Sequence, residues 1–160
     1  MTEEATSPVT GMEDILQRLE EAKQQLLDSL EHCAPERFAW ESSDGDSLKR
    51  ILERTADDIG FHYGRLVAQA LSLPPPPCSQ KAEFESLREA TVSLQVAQRR
   101  FSNLLHDLSS ADLERTTVDT EQGTYTLKQL LEMAIAHYRM RVRQVGRVSS
   151  EAAEVAQDPA

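Results

Sequence analysis

The sequence predicts an all-α protein, a four-helix bundle with up-down helices and long first-to-second and third-to-fourth connections. Three observations carry this. Leu, Ala, Glu, Gln and Arg fill long glycine-poor runs, and only 5% of the 160 residues are aromatic. Those residues lose the least on entering a helix. Four separate stretches repeat apolar residues at spacings of three and four, which gives a helix one apolar stripe. Proline, glycine and capping residues fall between them as stop and start signals. Long helices with one apolar face hide those faces against each other, and a chain of this length can fill one core.

Taken in order, residues 1–11 are rich in Thr, Glu and Ser and are expected to form a flexible tail. The bundle is expected over residues 12–148. Its first helix runs from about Met12 to Cys33, with Ile15, Leu16, Leu19, Ala22, Leu26 and Leu30 on the inner face, and Pro35 stops it. Phe38 and Trp40 follow in a polar loop; both have large areas to hide and are expected to plug the end of the core. Asp44-Gly45 signals a turn, and Ser47 is a good N-cap for a second helix reaching about Leu73. Gly60 is a weak point in that helix, costing roughly 1 kcal/mol relative to Ala. Pro74 to Pro77 end it and predict a short, stiff link to a neighbouring helix.

A third helix is expected from about Gln80 to Leu108, with Phe84, Leu87, Leu94, Ala97, Phe101 and Leu104 inside. Ser109 and Ser110 end it, and a loop with a turn at Gly123 follows. Thr126 and Gln129 form a capping box, in which each side chain accepts from the other residue's N–H, and they start the fourth helix. That helix is expected to finish near Val148, leaving residues 149–160 as a second tail.

The chain carries 27 acidic and 17 basic residues, so nothing in its charge suits a phosphate backbone and no nucleic-acid partner is expected. No run of about eighteen apolar residues offers a membrane span, and the cytoplasm is the expected compartment. Cys33 and Cys78 belong to no ligand pattern and are expected as reduced thiols.

The residues that could carry chemistry lie where helices meet. His137 and Arg141 stand four apart at the edge of the fourth helix's apolar face; Arg54 and Asp58 flank the inner stripe of the second. A bundle metal site uses paired ligands at such a spacing, but arginine has no lone pair and repels a dication. Two readings of the cations stay open. Arg54, His137 and Arg141 line a pocket for a small anionic ligand, or Asp57, Asp58 or another acid neutralises the arginines in an internal ion-pair network.

Two stretches carry a family likeness: FAWESSDGDSLKRILERTAD, an aromatic loop leading into a serine-capped helix, and YTLKQLLEMAIAHYRMRV, the capped last helix. With the order of four long helices, they make the chain resemble the DinB/YfiT-like superfamily of bacterial four-helix bundles over about residues 12–148. In typical members three histidines bind nickel or zinc, and by position these fall on Arg54, His137 and Arg141. Only His137 keeps the ligand type. The resemblance therefore implies the bundle with a degenerate metal site, no cofactor, a homodimer, and a binding module for a small molecule or protein. The alternatives it leaves are a metal-dependent thiol transferase or hydrolase of this type, and a purely structural homodimer.

Overall fold

The computed structural model describes residues 11–74 and 81–157; what was expected of residues 1–10, Pro75 to Pro77, Cys78 and residues 158–160 lies outside them. The described chain is mostly helical. Helix α1 (Met12–Glu31) turns Met12, Ile15, Leu19, Ala22, Leu26, Leu27 and Leu30 inward. Its N-terminus has no side-chain cap of its own; instead the Met12 N–H donates to Ser110 Oγ at 2.9 Å, which satisfies one of the orphan amides of the first turn. A short 3₁₀ turn (Pro35–Arg37) leads to Phe38, which is buried, and Trp40, which packs against the core's edge as expected.

Ser47 caps α2 (Leu48–Asp57), its hydroxyl accepting from the Arg50 N–H at 3.1 Å. This helix passes without a break into a π-helical segment (Asp58–Tyr63) and then α3 (Gly64–Ala70), forming one rod. Gly60, the weak point in the sequence, lies inside the π-helical segment. Ser86 caps α4 (Leu87–Asn103), so the third helix starts later than the expected Gln80 and ends before Leu108. A short helix α5 (Ser110–Arg115) and a hairpin of β1 (Thr117–Thr120) and β2 (Gly123–Thr126) follow. The capping box then forms as expected: the Thr126 N–H donates to Gln129 Oε1 at 2.8 Å, and the Gln129 N–H to Thr126 Oγ1 at 3.1 Å. It opens α6 (Leu127–Gln157).

Three expectations are corrected here. The chain is not wholly helical, because residues 117–126 pair as an antiparallel hairpin. Thr117, Val118, Thr124 and Tyr125 favour extended backbone, and Gly123, at φ +129°, supplies the conformation that the turn requires. The last helix does not stop near Val148; Val148 and Ala152 are buried, and that continued apolar face carries it to Gln157.

The helices also do not alternate strictly up and down. Arg18 on α1 grips Glu132 near the start of α6, and Arg37, beyond the end of α1, donates to the carbonyl of Ala152 near the end of α6, so these two helices run parallel. Asp58 meets Arg141 while Asp44 meets Arg147, so the α2–α3 rod runs antiparallel to α6. The link after α3 returns alongside α2: the Ala82 N–H donates to Asp57 Oδ1 at 2.9 Å, and the Phe84 N–H to Glu53 Oε2 at 2.8 Å. Helix α4 therefore starts beside α2 and its later turns pack on the π-helical segment, in the same direction as α2. The rod ends at Ala70, and Ala82 lies back beside Asp57, so α4 does not follow the rod by a tight turn.

The core lies between these helices. Tyr138 on α6 is its largest fully buried side chain, and its hydroxyl donates to the buried Gln98 Oε1 on α4 at 2.6 Å. Burial pushes the Tyr138 phenol far above its ordinary range. The Cys33 thiol is raised for the same reason, which leaves it a poor nucleophile.

Candidate functional site

His137 and Arg141 stand one turn apart on α6, so both point at the same neighbour, the first turn of the π-helical segment. Asp58 opens that segment and receives both of them. His137 Nε2 lies 2.7 Å from Asp58 Oδ2, and Arg141 Nη2 lies 2.9 Å from the same oxygen. Arg141 Nη1 donates to Gln144 Oε1 at 2.8 Å, and Tyr63 sets its ring edge-on to His137 at 5.7 Å. The Arg141 side chain is 7% exposed, that of His137 14% and that of Asp58 31%.

Arg141 Nε donates to His137 Nε2 at 3.2 Å, and the same nitrogen lies 2.7 Å from Asp58 Oδ2. Arg141 is further held by Asp58 and Gln144.

Burial alone would raise the Asp58 carboxyl. The hydrogen bonds and positive charge from His137 and Arg141 outweigh it and hold the group below its ordinary value. A carboxylate with a depressed folded-state pKa contributes stability above its unfolded pKa, and that stability is lost as pH falls through the folded value. Unfolding midpoints in urea should therefore decline on acidification below about pH 4, the ordinary aspartate range. Asp58→Asn should flatten that decline; an unchanged acid limb in the variant would show that Asp58 plays no part in it.

Arg54, expected to share this pocket, does not. It is exposed, donates to the Arg50 carbonyl at 3.3 Å and pairs with Asp46 in the loop before α2. The reason is geometric. Four residues of α-helix overshoot a full turn by about 40°, which brings Asp58 nearer the core than Arg54. Of the four site residues expected from sequence, the structure brings together Asp58, His137 and Arg141 and leaves Arg54 outside. It adds Gln144, legible as a polar residue three beyond Arg141, and Tyr63 at the end of the π-helical segment.

The residues present do not fit the divalent metal that typical members of the resembled family hold. Asp58 Oδ2 and His137 Nε2 are suitable donors, but the third position is Arg141, whose guanidinium offers only N–H groups and already sits against both donors. Among the described residues no three His, Cys, Asp or Glu side chains converge as a ligand set.

Asp58 also lines an open groove of about 990 Å³ between the rod, the hairpin and α6. Phe61, Tyr125 and Met133 give it apolar walls, Arg65 and Lys81 bring positive charge to it, and Asp57, Asp119 and Glu121 bring negative charge. Comparison of the chain with family models, with characterised proteins and with solved structures yields no match. No helix of the described residues is long and apolar enough to cross a membrane.

Proposed function

We propose that this chain is a DinB-like four-helix bundle in which an arginine has taken the place of the metal, and that it works as a binding module rather than as a metal-dependent enzyme. One observation supports the reading above the rest: the Arg141 guanidinium lies against both Asp58 Oδ2 and His137 Nε2, the two atoms a metal would need. A permanent cation bound to the carboxylate supplies the charge that a dication would supply, without its open coordination positions.

In this reading the ligand is a small molecule held in the groove that begins at Asp58. The anion receptor expected from Arg54 and Arg141 loses both cations, one to Asp46 and the other to Asp58. Arg65 and Lys81 line the groove beside Asp57, Asp58, Asp119 and Glu121, so its lining does not favour an anionic ligand. Homodimer formation, which the resemblance implies, and a cytoplasmic location belong to the same reading.

The test is metal retention. Protein equilibrated with nickel or zinc and then dialysed should keep far less than one equivalent by elemental analysis. Arg141→His, which puts a second imidazole one turn from His137 and beside Asp58, should gain about one equivalent. Stoichiometric metal on the wild-type chain would overturn the reading and favour a metal-dependent thiol transferase or hydrolase.

A further inference from the structure

A second groove lies on the other side of the π-helical segment, and we propose that it binds a medium-chain aliphatic carboxylate. Helix α4 packs on α2 and on the π-helical segment but parts from α3, leaving a wedge of about 740 Å³. Phe61 lines it from the rod, Phe84 from the returning link, and Val96 and Phe101 from α4. The space is open at Gly60, where an added Cβ would meet nothing within 4 Å. A concave, mostly apolar site of this size with few polar groups is the usual form of a small-molecule pocket.

Charge selects the ligand class. Among the described residues two charged side chains line the wedge, Asp57 and Arg100. Asp57 Oδ1 is engaged by the Ala82 N–H at 2.9 Å. Arg100 is exposed at the rim and has no ion pair among the described residues. An apolar wall with one uncommitted cation suits an alkyl chain ending in one carboxylate, which an arginine can hold with two hydrogen bonds. Such a ligand would also cover Val92 and Val96, two large apolar side chains that α4 leaves 52% and 42% exposed. This site shares Asp57 and Phe61 with the groove at Asp58 but uses neither His137 nor Arg141, so it stands apart from the metal question.

The probe is decanoate, titrated calorimetrically into the full chain, with decan-1-ol as the uncharged control. Decanoate should bind the wild type at micromolar concentrations. Arg100→Gln should weaken decanoate roughly tenfold and leave decan-1-ol unchanged. Gly60→Leu, which fills the wedge, should abolish binding of both. If Gly60→Leu does not fold, Val96→Trp narrows the wedge from the opposite wall and should give the same loss. Absence of decanoate binding to the wild type, or equal binding by the blocked variant, overturns the proposal. So does sedimentation showing a dimer that excludes decanoate, since a second copy would then occupy this face of α4.

Discussion

Arg141→Leu should lower the stability of the fold by about 2–3 kcal/mol at neutral pH. Leucine fills much of the same space, so the loss of packing is small. What remains is an Asp58 carboxylate with one of its two cationic or donor partners removed, at a position where water reaches it only in part. Removing one partner of a fully buried pair costs about 3–5 kcal/mol, and the 31% exposure of Asp58 places this pair below that range. For a domain of this size the change reads as a fall in Tm of roughly 5–10 °C. The control is the double variant Arg141→Leu with Asp58→Leu. Both charges are then gone, and most of the loss should return, because neither a lone carboxylate nor a lone guanidinium is left buried. If the single variant melts with the wild type, Asp58 is adequately solvated without Arg141 and the triad does not organise this end of the core.

The second large effect is expected at Tyr138. Its side chain is fully buried, so Tyr138→Ala opens a cavity in the core beside Gln98 of α4 and should cost about 3–5 kcal/mol. Tyr138→Phe separates packing from hydrogen bonding. It keeps the ring and removes only the 2.6 Å bond to Gln98 Oε1. A buried acceptor left without a partner costs about 1–3 kcal/mol. Here the lower end applies, because Gln98 borders an open polar hollow of about 340 Å³ with Lys23 and Arg99, through which water can replace the phenol. Urea midpoints for the two variants would settle the order. A Phe variant as damaged as the Ala variant would mean that the hydroxyl, not the ring, holds the two helices.

Much of the fold was legible because it depends on local chemistry. Ser47 and the Thr126–Gln129 box set two helix starts at the residues expected, since each cap needs only atoms within a few positions along the chain. The apolar stripe of α1 named most of that helix's buried residues for the same reason. The hairpin was missed although Thr117, Val118 and Thr124 to Thr126 flank a Gly turn, the pattern of a short two-stranded ribbon. The π-helical segment left one trace, a glycine in mid-helix, and that alone does not specify a wider helical turn.

The site divides along the same line. By itself the sequence determined that His137 and Arg141 share a helix edge beside a core, because residues four apart on a helix are neighbours whatever the rest of the chain does. It determined equally that Arg141 is no metal ligand, since no arrangement gives an arginine a lone pair to bind with. The tertiary structure alone decided which residue on the second rod faces them. That choice depends on the phase of one helix against another, on the start of the π-helical segment at Asp58, and on the packing that turns Arg54 out toward Asp46. It also decided the direction of α4, whose leading residues Ala82 and Phe84 are held by the Asp57 and Glu53 carboxylates beside α2.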